Sequence, residues 1–378
     1  SRAQWARMGR AAVYVAVVVL FLVSIARFHQ KNTGFTSLIR FGSKFYDRTL
    51  PAVRYARHAT STSDWGYDGQ FYAQLAVEPL LRNRALENAL DNAPYRARRI
   101  LFSWTAYVLG LGQPEWILKA YALQNIVGWL ALAWLMRRWL PPSRLRNVCP
   151  WIGCLYGVGL LSSVRQSLLD GPSMLVLVLA ILAYERNRQW LAIGLMGFSG
   201  LGRETNLAAG GLLIDGMPRS RRALLSAAVR LAAIVLPLAL WSLYVLTVFP
   251  THVDPTSSNF GPPFAEYLTK WSTTLADYHR AGWHSAAQFN ILTLVGLTVQ
   301  AVFLAVRWDW KSAWWRMAVP CCVLFATTSY IVWDGTVGAA PRLLLPMSFA
   351  FNVLIAKLPN CWFWPLVIAG NVSVVPGL

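Results

Sequence analysis

Long apolar blocks alternate with short polar connectors along most of the chain. One block runs from Ala11 to about Ala26, and others fall near 117–136, 148–163, 167–184, 223–249, 289–306, 317–333, 343–357 and 361–378. A bilayer core takes about 20 apolar residues per helix, because every backbone amide must find its partner inside the segment. The block at 190–214 is interrupted by "GRETN" and reads as two short apolar halves meeting at a polar turn. The pattern predicts an all-α polytopic transmembrane bundle of roughly ten or eleven spans. It forms a single unit over 1–378, with a first extracytoplasmic loop at 27–116 and a second at 250–288.

One short segment decides the topology. "RRILFSWTAYVLGLG", from Arg98 to Gly112, is apolar for only about 13 residues, which suits a helix lying at the interface better than a span. With that segment on the surface, Arg137, Arg138, Arg144 and Arg146 fall on the cytoplasmic side. So do Arg186 and Arg188, then Arg219, Arg221, Arg222 and Arg230, then Arg307, Lys311 and Arg316, and finally Lys357. The arginines at 2, 7 and 10 place the N-terminus on the same side; the alternative for the first block is a signal-peptide core with Ser24 and Ala26 near a cleavage site. The outer side then receives the first loop, the Arg165–Asp170 turn, "GRETN", the 250–288 loop and "WDGTVGAAPR".

Composition agrees with this picture. The 378 residues are 56% hydrophobic and 13% charged, with a formal charge of +19. That charge does not mark a nucleic-acid partner, because the basic residues sit at the ends of apolar blocks as topology signals. The five cysteines, Cys149, Cys154, Cys321, Cys322 and Cys361, lie in or beside apolar blocks and form neither a disulfide framework nor a zinc spacing. His252, His279 and His284 lack metal-ligand spacing, and no Walker A sequence, dinucleotide fingerprint or Gly-x-Ser-x-Gly elbow occurs. Neither a metal nor a soluble cofactor is expected.

The candidate chemistry sits in the outer segments. In "SDWGYDGQFYAQLAVEP", Gly66 and Gly69 flank Asp68 and allow a tight turn, and helical spacing follows until Pro79. A carboxylate held there could act as general base on an acceptor hydroxyl, with Asp64 as the alternative base; a plain helix N-cap is the competing role. Arg203 and Glu204 lie between apolar halves, where ionisable side chains are costly and usually face a cavity. Arg203 could grip a phosphate with Glu204 orienting it, unless the two form a purely structural pair. Arg342 is a second cation at the outer boundary, and Arg96, Arg98 and Arg99 precede the interfacial helix, where lipid head groups or a lipid phosphate could meet them. Arg98, Arg99, Arg203 and Arg342 are therefore the candidate phosphate ligands. Gln70, Tyr72, Glu204, Arg165, Asp170, Trp65 and Tyr67 are the candidate pocket residues, with Asp170-Gly171-Pro172 capping the outer start of a helix. Trp104, Tyr267, Trp271 and Trp283 add aromatic faces on which a sugar could stack, although an interfacial belt accounts for any one of them.

These residues carry a likeness. One span, a long outer loop with an acidic motif, an interfacial helix ending in "GLGQPEW", and an inward span closing in Arg137-Arg138 resemble the GT-C superfamily of integral-membrane glycosyltransferases. "GYDGQFYAQLAVEP" with "DNAPYRARRILFSW" is similar to a group of bacterial members, and the acid with its aromatics is similar to the Trp-Asp…Tyr motif of GPI mannosyltransferases. The likeness covers about the first 140 residues, together with "GRETN" and "APRLLLP". It implies inverting transfer of a sugar from a polyprenyl-phosphate donor to a glycan, lipid or protein acceptor, at a site facing the exterior of a bacterial inner membrane. It implies further that Asp68 is the base and that Arg203, often lysine in relatives, stabilises the lipid-phosphate leaving group. A transporter or flippase of a lipid-linked saccharide is the alternative, and a scaffold within an envelope-assembly complex is a third reading.

Overall fold

The computed structural model describes residues 2–61, 64–142, 144–213, 220–250, 259–283, 286–335 and 338–378. These segments are mostly helical. The strands are two residue pairs, Phe41–Gly42 and Thr60–Ser61, joined in parallel inside the first loop.

Two helices are long and apolar enough to cross a membrane. Arg221–Val248 has 28 residues with mean hydropathy 2.2, and Ala286–Val306 has 21 with mean hydropathy 2.0. Val148–Tyr156 and Val158–Arg165 make a third candidate if taken as one span bent by 43°. The bend lies at Gly157, whose extended ψ of 140° breaks the helical ladder. Other apolar blocks fold into shorter pieces. Ala313–Thr327 ends where Thr328 turns extended, and Leu345–Ile355 ends ahead of Pro359. The tally of ten or eleven spans read from hydropathy thus reduces to two or three helices of spanning length among the described residues.

The Arg221–Val248 helix is peripheral. Only 11% of its most apolar window is covered by the rest of the chain, and Leu225, Val229, Leu236 and Leu240 are more than half exposed. Such a continuous apolar face fits contact with lipid.

The chain packs around two apolar cores. The larger joins the helices around Phe21, Trp129, Trp151, Phe349 and Phe351, with Phe21 stacked on Trp129 at 3.6 Å. The smaller gathers Ile39, Phe45, Leu50, Phe71 and Leu75 of the first loop over Ile117, Leu118 and Tyr121 of the Pro114–Met136 helix. The first loop is therefore a folded cap seated on the helices. Its centre is the Gly69–Val77 helix, stitched to the surrounding loops by two buried glutamines. Gln74 accepts from the Leu50 N–H and donates to the Ala89 carbonyl. Gln70 accepts from the Gly42 N–H and donates to the Trp65 carbonyl.

The segment before Gly112 forms the helix Leu101–Leu109. At 1.5 Å per residue its nine residues reach about 13 Å, less than half of a bilayer core. Positive φ at Leu111 and Gly112 then turns the chain back into Pro114–Met136.

Candidate functional site

A cavity of about 730 Å³ collects side chains from six separate stretches of sequence. Tyr67, Asp68 and Tyr72 come from the acidic motif, and Asp91, Asn92, Tyr95, Arg96 and Arg99 from the segment after it. Gln166 to Asp170, Arg203 to Thr205, Asn259 with Phe260, and the stretch around Asp334 to Arg342 complete the walls.

Local backbone chemistry explains how Asp68 is presented. Gly66 takes φ +77°, a conformation that glycine adopts without penalty, and this turns the chain sharply before the helix. Gly69 packs against the carbonyl oxygen of Gln166, where a Cβ would not fit, so the acidic turn sits directly on the turn that carries Asp170. Asp68 occupies the N-cap position of Gly69–Val77, yet its side chain makes no capping bond. It faces Arg96, whose Nη2 donates to Oδ1 at 2.8 Å.

From that pair an ionic ring runs around the cavity. Arg96 also grips Asp91 with two bonds of 2.9 and 2.6 Å. The Tyr72 hydroxyl accepts from Nη1 of Arg96 and of Arg99, each at 3.2 Å. Arg99 in turn holds both oxygens of Glu204, at 2.6 and 2.8 Å, and donates to the Tyr95 hydroxyl at 2.7 Å. Next along the chain, Arg203 pairs with Oδ1 of Asp170, and Arg342 approaches Oδ2 of the same carboxylate at 3.6 Å. Arg342 also donates to the Tyr67 hydroxyl at 3.4 Å, which closes the ring beside Asp68.

The electrostatics follow from these pairings. Burial alone would raise the Asp68 carboxyl, but the charges of Arg96, Arg342 and Arg99 and the Arg96 hydrogen bond outweigh it and hold the group below the usual carboxylate range. Glu204, half-buried, is pulled down to about 2 by the charge and bonds of Arg99 and by Arg203. Four arginines face five carboxylates (Asp68, Asp91, Asp170, Glu204 and Asp334) among the described lining residues. The described lining therefore carries no surplus of positive charge, and an anion could enter only by sharing or displacing a carboxylate already in place. Asp170 holds Arg203 and Arg342 together on one carboxylate.

Several expectations are corrected by this geometry. Glu204 does not partner Arg203; it is taken by Arg99, while Arg203 turns to Asp170. Asp170 does stand first in the Asp170–Glu185 helix, but its carboxylate serves the two arginines. Gln70 is buried under the acidic turn and spent on backbone groups, so it does not line the cavity. Trp65 is 63% exposed and lies outside the wall, with Lys44 over its ring. Arg165 points to the far end of the chain, donating to the backbone oxygens of Gly377 and Leu378. Asp64 pairs with Arg40 and bonds the Gly66 N–H, which makes it a brace of the turn. Arg98 is not a lining residue; its guanidinium sits over the Tyr95 ring. Tyr267 packs on Phe325 and Trp333, and Trp104 packs on Trp241. His252 and His284 lie outside the described residues.

Sequence reasoning missed Asp91, Asn92, Tyr95, Asn259, Phe260 and Asp334, and read Arg96 as a contact for lipid head groups or a lipid phosphate, not as the partner of Asp68. One signal was present. Asn92 followed by Ala93-Pro94 is a helix start, and the Asn92 side chain caps the Tyr95 N–H at 2.9 Å, which fixes the direction of the short Ala93–Ala97 helix and with it Arg96. Among the described residues, no group of three or more His, Cys, Asp or Glu could hold a metal ion.

No protein-family model, curated protein or solved structure matches the chain.

Proposed function

We propose that the chain is an inverting glycosyltransferase that moves a sugar from a polyprenyl-phosphate donor to an acceptor hydroxyl on the extracytoplasmic side of a bacterial inner membrane. The observation that carries this reading is that Asp68 lines the same cavity as Arg203 and Arg342. A cavity of this size accommodates a hexose phosphate and part of an acceptor.

In the proposed step, the acceptor oxygen attacks the anomeric carbon from the face opposite the phosphate. The new C–O bond forms as the bond from the anomeric carbon to the phosphate oxygen breaks, and the electron pair leaves with the phosphate. Arg203 and Arg342, released from Asp170, take up the charge that develops on this leaving group. The acceptor proton goes to Asp68. Its Oδ1 is held by Arg96, so Oδ2 is the oxygen assigned to the acceptor. A carboxylate held below its usual range is a weak base. The role therefore suits a transition state in which the sugar carbon is already strongly electron-poor and the proton leaves late.

The test is transfer of a labelled sugar from a polyprenyl phosphate to added acceptors by the purified protein. Transfer that falls at least a hundredfold in Arg203→Ala supports the reading. Movement of the lipid-linked sugar across vesicle leaflets without transfer would replace it with the transporter alternative.

A further inference from the structure

A second cavity, of about 370 Å³, lies between the first turn of Gln189–Gly202 and the first three turns of Arg221–Val248. Arg203 and the ionic ring lie at the opposite end of the Gln189–Gly202 helix, so the two cavities are separated along that helix. Arg222, Ser226 and Arg230 recur every four residues along one face of Arg221–Val248, and Leu225 and Val229 lie beside them. Gln189, Trp190 and Ile193 form the facing wall.

Charge distinguishes this cavity from the first. Every arginine of the ring meets a carboxylate, whereas among the described residues Arg222 and Arg230 have no acidic partner. Among the described residues, Arg230 donates from Nη1 to the Leu213 carbonyl at 3.4 Å. The two Cα positions are eight residues apart, or about 12 Å along the axis, so both guanidiniums can bend toward a single anion above Ser226. The apolar side is equally specific. Leu225 and Val229 continue into Leu236 and Leu240 along the uncovered face of the helix, which offers a track for acyl chains. Trp190, 75% exposed at the rim, has the amphipathic ring that settles at head-group level.

We propose that this groove binds the phosphodiester head group of an anionic glycerophospholipid between Arg222 and Arg230, with its acyl chains along the Leu225–Leu240 face. A free phosphate shares the anion chemistry but leaves the apolar track unused. The proposal does not rest on the transfer reading, and its test scores binding alone.

The experiment is a native mass-spectrometric titration of the detergent-purified full chain with phosphatidylglycerol and, separately, phosphatidylcholine. Wild type should retain phosphatidylglycerol preferentially. At roughly fivefold per arginine near a membrane surface, the R222A/R230A double variant should bind it about 25-fold more weakly. Val229→Trp, which fills the groove and leaves every charge in place, should weaken binding comparably and guards against misfolding of the arginine variant. R186A/R188A removes the same charge from the preceding connector and should bind as wild type. Equal loss in R186A/R188A, unchanged affinity in both groove variants, or complete displacement of the lipid by millimolar inorganic phosphate would each overturn the proposal.

Discussion

Asp68 holds the cap position of a helix and leaves the cap unmade, its carboxylate committed instead to Arg96 across the cavity. The arrangement favours the charged form at any neutral pH. An acid-side loss of activity should therefore appear only below the ordinary carboxylate range, as a pH–rate profile would show. Glu204 makes a stability prediction with a definite sign. Its folded-state value of about 2 lies below the ordinary 4.5, so its contribution is fully present above about pH 4.5 and is lost as the pH falls toward 2. Glu204→Gln removes that dependence and leaves the largely covered Arg99 without its carboxylate. Loss of about 3–5 kcal/mol is expected, read as a lowered thermal midpoint at pH 7 with a flatter profile toward acid. Arg203, Glu204 and Arg342 stood out in the sequence because ionisable groups beside apolar blocks are costly, and Asp68 because two glycines flank it ahead of a helical pattern. Their partners did not. Arg96, Arg98 and Arg99 are alike in sequence, and only the direction of the five-residue helix Ala93–Ala97 turns Arg96 inward, sets Arg99 on Glu204 and leaves Arg98 out of the wall.

Among the elements, the acidic turn and the Gln166–Asp170 turn depend on each other. Gly69 lies so close to the Gln166 carbonyl that Gly69→Ala must push the two turns apart. A loss of about 1–3 kcal/mol is expected from this overpacking, measurable by thermal unfolding, with a larger fall in transfer because Asp68 and Arg342 separate. A fully stable and active Gly69→Ala protein would show that the close approach is not needed. Helix content was readable from hydropathy, since long apolar blocks leave the backbone few alternatives. Span number was not. Hydropathy averages over the break at Gly157 and the extended Thr328, each of which shortens a helix inside a block that reads as continuous. The short Leu101–Leu109 helix was legible by length alone.

For the whole molecule, the account requires two chemically different ends. The two cavities lie at opposite ends of the Gln189–Gly202 helix, and the proposal puts the ionic ring on one side of the membrane and the Arg222–Arg230 groove on the other. In a background with the five cysteines replaced, Asp334→Cys should react with an impermeant thiol reagent on intact cells, whereas Trp190→Cys should react only after permeabilisation. Labelling of both from the same side would remove the topology on which the proposed donor path depends. The central claim, that Asp68 takes the acceptor proton while Arg203 and Arg342 hold the lipid phosphate, is tested most directly by Asp68→Asn. Transfer from the polyprenyl-phosphate sugar should fall about 10²–10⁴-fold while binding of polyprenyl phosphate stays at the wild-type level. Transfer at the wild-type rate in Asp68→Asn would contradict the account.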